Sequence, residues 1–207
     1  SRNCLKQSDL TGPRQIISGV IKMGDYWDAK FDTMPWAESE PYWLEKMNDL
    51  IGYVKGNSEF YREHLKNFDR VTSFEALTEL PVMTKYDVRN SQMESSRSQP
   101  LGTIQTAKTS DVVQVISTSG TTGQPVYYGI TARDLVSWQD SLANFVYTAG
   151  IRKEDVVAHV VGTPIFAGGE PYFGGLRKVG AMVVWAGGMT TLRLLETLRN
   201  LHCTALL

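Results

Sequence analysis

The chain has 207 residues, 42% of them hydrophobic, and a formal net charge of −1. That composition belongs to an ordinary globular protein, with enough apolar surface to form a core without disulfide staples. A charge this close to zero gives no support for a nucleic-acid or anionic-membrane partner, and no apolar run approaches the roughly 20 residues that span a bilayer.

The N-terminal stretch SRNCLKQSDL has no apolar segment of the secretory kind. Cys4 and Cys203 show no CxxC or Cys/His spacing, so both are expected as reduced thiols in a cytoplasmic protein. The three histidines, His64, His159 and His202, are scattered, and no metal site is expected.

Residues 1–100 carry most of the charge and are expected as a helical N-terminal segment. In ESEPYWLEKMNDLIGYVKGN, Trp43, Met47, Leu50, Ile51 and Val54 mark one apolar helical face, and Gly56-Asn57 supplies a stop. Ser58 is a candidate N-cap for SEFYREHLKNF. TSFEALTELP predicts a short helix ending before Pro81. Thr84 with Asp87 predicts a capped helix over MTKYDVRNS, with Lys85 and Arg89 on its surface. The polar run NSQMESSRSQP is expected as an exposed loop.

Residues 101–207 have another rhythm, which predicts an α/β subdomain. Strands are expected at 111–118, 126–130, 155–162, 181–188 and in the closing CTALL. Thr131 and Asp134 have capping-box spacing ahead of a helix with Leu135, Trp138, Leu142, Phe145, Val146 and Ala149 in a stripe, closed by Gly150. GGEPYFGGLRKVG predicts a short helix. TTLRLLETLRNL predicts another, with Leu192, Leu195 and Leu198 facing inward. Trp138 and Trp185 are expected in the core, and Arg133 in solvent. This alternation is the pattern of an α/β domain with right-handed crossovers and a mostly parallel sheet flanked by helices.

The stretch STSGTTGQPV, 117–126, joins two of those strands. Gly120 and Gly123 allow backbone N–H groups to approach a ligand closely, and Thr118, Ser119, Thr121 and Thr122 bring hydroxyls that can donate to phosphate oxygens. A polar hairpin turn uses the same composition. No lysine follows either glycine as a Walker loop requires, and no GxGxxG precedes a helix.

STSGTTGQPVYYGITARDL resembles the [ST]SGTTGxP phosphate-binding motif of the adenylate-forming superfamily, matched from Thr118 to Gly123 and at Pro125. YVKGNSEFYREHL, LTELPVMTKYDVR, YGITARDLVSW, VGTPIFAGG and VVWAGGMTTLRLLETL resemble, in order, the landmarks of the phenylacetate–CoA ligase family. That resemblance covers residues 25–207. It implies the N-terminal domain of an AMP-forming carboxylic acid–CoA ligase, which activates an aryl or acyl carboxylate with Mg2+-bound ATP and transfers it to coenzyme A. Thr118, Ser119, Gly120, Thr121, Thr122 and Gly123 would hold the ATP phosphates. Val161, Ile165, Phe166 and Gly168 would line the acid pocket, although a strand-end core role also suits the apolar three. No catalytic residue or metal ligand is carried over.

The family often has Lys where Gln124 stands, and many superfamily members have Lys where Val126 stands. The pocket stretch lacks the tyrosines of the phenylacetate enzymes and has Pro164, which argues against phenylacetate itself. The family's adenine loop, ribose-binding Asp and lid lysine have no counterpart in the chain. The expectation is therefore an N-terminal portion that alone binds ATP weakly and catalyses nothing. Two alternatives stand beside it: an adenylating relative with an acceptor other than CoA, and a non-catalytic module that keeps the fold. The expected partners are the acid, ATP and CoA, with no nucleic acid or membrane, and with room for a homodimer.

Overall fold

The computed structural model describes residues 26–118, 124–161 and 167–207. The first helix, α1 (Ala29–Asp32), is capped by the Asp28 carboxylate, which accepts from the Lys30 and Phe31 N–H groups. The second, α2 (Trp36–Asn57), starts directly after Pro35 and carries Pro41 within it. It ends at the predicted Gly56-Asn57 stop. Ser58 then closes α2 through its own N–H and opens α3 (Glu59–His64) through its hydroxyl. Residues 75–79 form a 3₁₀ turn where a short α-helix was expected. The next helix, α4 (Lys85–Met93), has the predicted capping box of Thr84 and Asp87. It also runs into the polar stretch expected as an exposed loop, and Ser91 within that stretch is buried.

Two strands, β1 (Val112–Ser117) and β2 (Tyr127–Thr131), pair antiparallel as a two-stranded sheet of their own. A parallel pair needs a crossover of about a dozen residues or more, and the segment 118–126 is too short for one. The second predicted capping box, Thr131 with Asp134, starts α5 (Ala132–Thr148). Then β3 (Val156–His159), α6 (Glu170–Val179), β4 (Met182–Trp185), α7 (Thr191–Asn200) and β5 (Ala205–Leu206) alternate. The three strands form a parallel sheet in the order β4-β3-β5, as the α/β pattern predicts. The chain crosses from β3 to β4 in one direction and back past β3 to β5 in the other, an order in which the usual right-handed crossovers would put α6 and α7 on opposite faces.

The core lies between α5, α6 and β3, where Ala143, Val146, Val157, Leu176, Val179 and Ala181 pack together. Two glycines bring the helices close. A Cβ on Gly175 would meet the Leu142 Cβ at 2.7 Å and backbone atoms of Leu142 and Ala143, and one on Gly174 would overlap the Gln139 carboxamide. The N-terminal end is tied to α5 by Asn144 Nδ2, which donates to Asp32 Oδ1 at 2.7 Å, and by Trp27 against the Tyr147 ring.

Several side chains depart from expectation. Trp185 is 50% exposed and Trp138 half-buried, because β4 is an edge strand and α5 turns only part of its stripe onto α6. On α7, Leu192 (76%) and Leu195 (57%) face outward, and Leu198 is half-buried. Arg89 is half-buried rather than on the surface. Its guanidinium lies 5.9 Å from the Tyr86 ring centre, and its Nε and Nη2 have no hydrogen-bond partner among the described residues.

Candidate functional site

The β1–β2 hairpin carries the glycine-rich stretch at its tip. Thr118 closes the neck. Its N–H donates to the Val126 carbonyl at 3.0 Å, and its Oγ1 accepts from the Val126 N–H at 3.4 Å. The Thr118 hydroxyl therefore acts as an acceptor at the neck and keeps its own proton to donate. Ser119, Gly120, Thr121, Thr122 and Gly123 lie outside the described residues.

The two positions that lack the family's lysines have different surroundings. Gln124 is exposed, whereas Val126 is 0% exposed. A lysine at 126 would bury an unpaired ammonium, which costs far more than the methyl contacts it would replace. Valine at 126 is thus a core residue that plugs the base of the hairpin.

Beside the neck stands a residue that the sequence reading passed over. The carboxamide of Gln92 donates to the Tyr127 carbonyl at 2.7 Å and accepts from the Tyr127 N–H at 3.2 Å. The preceding Ser91 is buried, and its Oγ accepts from the Ile104 N–H at 2.9 Å and the Thr103 hydroxyl at 3.2 Å. The Thr103 carbonyl in turn accepts from the Ser58 hydroxyl at 3.0 Å. The Thr84–Asp87 box was the one sequence signal for this arrangement, since a helix starting there reaches 92 in little more than two turns.

The acid-pocket candidates follow β3. Parallel α/β sheets bind ligands outside the carboxyl ends of their strands. Val161 is exposed just past the end of β3, and Gly168 is half-buried ahead of α6. Ile165 and Phe166 lie outside the described residues. At the last position of β3, His159 is 0% exposed, and neither ring nitrogen has a hydrogen-bond partner among the described residues. Its ring lies between those of Tyr172 and Trp185, with centres 6.4 and 6.5 Å away. Burial pulls the imidazole below its ordinary pKa, and the Gly168 carbonyl opposes that in part without reaching hydrogen-bond geometry. The ring is a neutral polar group at the carboxyl edge of the sheet.

A cleft of about 710 Å³ opens between α2, residues 101–107, β2 and the start of α5. Arg133 and Lys46 line it with Tyr53, Tyr61, Tyr127 and Tyr128. Burial, then the neighbouring Tyr128, pushes the Tyr61 phenol up. Thr118, Val161 and Gly168 are not among its walls. Among the described residues, no cluster of His, Cys, Asp and Glu could hold a metal ion, and no helix is long and apolar enough to cross a membrane.

No family model matches the chain. It is 27% identical over 161 residues to the phenylacetate-coenzyme A ligase of Pseudomonas putida, a match covering 76% of this chain and 35% of that enzyme. The phenylacetate-coenzyme A ligase of Escherichia coli (strain K12) is 30% identical over 115 residues, covering 55% of this chain and 24% of that enzyme. The chain thus spans about a third or less of the length of these relatives. Among solved structures, a 2-hydroxyisobutyryl-CoA ligase in complex with 2-HIB-AMP and CoA superposes with a TM-score of 0.79. It is 25% identical, over 91% of this chain and 41% of that one. By sequence and by fold, the chain is phenylacetate–CoA ligase-like and has the architecture of the adenylate-forming CoA ligases.

Proposed function

We propose that this chain supplies the phosphate-binding loop and part of the acid pocket of an AMP-forming carboxylic acid–CoA ligase. The observation that carries the reading is the hairpin neck. Thr118 and Val126 close a Ser/Thr/Gly loop whose sequence matches the superfamily motif, on a fold shared with a ligase that binds an acyl-adenylate and CoA.

The reaction has two displacements. A carboxylate oxygen attacks the α-phosphorus of ATP, the bond to the β-phosphate breaks, and pyrophosphate leaves from the acyl-adenylate. The CoA sulfur then attacks the acyl carbon as its proton is lost, the acyl–phosphate bond breaks, and AMP leaves. The first step sets an anion against a polyanion, so its barrier falls mainly through donors held around the phosphates. Thr118, Ser119, Thr121 and Thr122 would donate hydroxyls, and Gly120 and Gly123 would let backbone N–H groups come near. ATP enters as its Mg2+ complex. Magnesium keeps several waters and binds mostly through substrate phosphates, so it would arrive with the nucleotide. Val161, Ile165, Phe166 and Gly168 would form an apolar wall for an aryl or short acyl group.

The test is acid-dependent pyrophosphate exchange and CoA-dependent AMP release, measured across aryl and short acyl carboxylates with the polypeptide that carries this chain. Replacing Thr121 and Thr122 with Val should slow pyrophosphate exchange at saturating acid by about tenfold or more, since each lost donor to a charged group is worth on the order of 1.5–3 kcal/mol. An unchanged rate would remove the loop from the phosphate role.

A further inference from the structure

In an antiparallel ladder, facing residues alternate between pairs that exchange both backbone hydrogen bonds and pairs that exchange none. Thr118 donates to the Val126 carbonyl and the Val126 N–H returns to the Thr118 hydroxyl, so 118 and 126 occupy a bonded position of the ladder. Ser117 and Tyr127, the next pair in register, are therefore unbonded to each other, and the Tyr127 N–H and C=O turn outward. Among the described residues the sheet has only β1 and β2, so outward means its edge. The Gln92 carboxamide meets both groups there, as one residue of an added strand would.

This side chain is held from behind. Ser91 is fixed to residues 103 and 104 by the bonds given above. Gly102 has φ +87° and packs so closely that a Cβ would overlap the Ser91 carbonyl. The helix end that presents Gln92 is thus anchored to the loop 101–105 and, through Thr103, to the start of α3. The glycine-rich stretch has one end continuous with β1. Its other end passes through exposed Gln124 and Pro125, buried Val126 and clamped Tyr127.

We propose that Gln92 is a positioning residue for the phosphate loop: its carboxamide completes the open edge of β2 at Tyr127 and fixes the point from which residues 119–123 depart. The proposal rests on the ligase reading for the loop's ligand, and on geometry alone for the clamp. Ordering a segment between two strands costs conformational entropy. Fixing both of its ends removes part of the entropy that phosphate binding would otherwise oppose.

The test compares the wild-type polypeptide with Gln92→Leu and the isosteric Gln92→Glu. Three quantities are read: KM for MgATP, KM for the acid, and hydrogen exchange at the Tyr127 amide. The expected result for Gln92→Leu is faster exchange at Tyr127 and a KM for MgATP raised about tenfold, the size expected for losing one to two hydrogen bonds, with the acid KM nearly unchanged. Gln92→Glu should behave the same way at neutral pH, because its second oxygen cannot donate and faces the Tyr127 carbonyl. A residue that merely fills space would leave the glutamate variant like wild type. Unchanged Tyr127 exchange overturns the clamp, and altered exchange with an unchanged KM for MgATP overturns the link to the loop. If the wild type shows no acid-dependent pyrophosphate exchange with any acid, the ligase reading fails. Titration of inorganic pyrophosphate into wild type and Gln92→Leu then decides the loop role, with equal or absent binding counting against it.

Discussion

An imidazole with no exposed surface and no hydrogen-bond partner can carry a charge only at high cost. His159 has no exposed surface and no hydrogen-bond partner among the described residues, and burial pulls its pKa below the value of about 6.5 that it has in an unfolded chain. As pH falls through that value, the unfolded chain takes up a proton that the folded protein resists. The stability this histidine contributes is therefore complete above about pH 6.5 and is lost below it, with a slope of up to about 1.4 kcal/mol per pH unit. Urea unfolding of wild type and His159→Phe at pH 7 and pH 5.5 checks this. The variant should show the shallower loss, and equal slopes would remove His159 from the acid response. His64 and His202 are present in both proteins, so the difference isolates position 159. At this scale the sequence was partly legible. The motif from Thr118 to Pro125 stood out through its resemblance to a superfamily motif, since a polar hairpin turn uses the same composition. The meaning of Val126 and His159 did not, because a residue letter carries no information about what surrounds it.

Short-range chemistry was the most readable layer at the scale of elements. Both capping boxes, Thr84 with Asp87 and Thr131 with Asp134, formed as the spacing predicted, since donor and acceptor lie within one helical turn. The polar run around Ser91 and Gln92 was misread because polarity resembles exposure, while its hydrogen-bond partners, Thr103, Ile104 and Tyr127, lie farther along the chain. The glycines of PYFGG make the same point. They serve the α5–α6 contact, and the two are not equivalent. Gly174→Ala would displace only the flexible end of Gln139, at the expense of its 3.2 Å bond to Glu170. At 3.2 Å and partly exposed, that bond to a carboxylate sits near the low end of about 1.5–3 kcal/mol, and the helix propensity gained on leaving glycine returns about 1 kcal/mol of it. Gly175→Ala would drive a methyl group into the Cβ and backbone of Leu142, which only a shift of the helices can relieve, at a cost of about 1–3 kcal/mol. Denaturant midpoints should therefore stay nearly level for the first variant and fall for the second.

For the whole molecule, the order of strands and helices already indicated an α/β fold, but the antiparallel β1–β2 pair standing apart from the three-stranded parallel sheet was not foreseen. Which apolar faces are covered was a different matter. The spacing of Leu192, Leu195 and Leu198 announces an amphipathic helix, but periodicity defines a stripe without saying what lies against it. The core forms where α5, α6 and β3 meet, and α7 contributes no buried residue to it. Stability should follow that asymmetry. Leu176 is fully buried on α6, so Leu176→Ala should cost about 2–5 kcal/mol. Leu192→Lys and Leu195→Lys together should stay within about 0.5 kcal/mol of wild type, because both side chains already face outward. Urea unfolding of this chain distinguishes the cases directly. A loss from the double lysine variant comparable to that of Leu176→Ala would mean that the stripe faces inward after all.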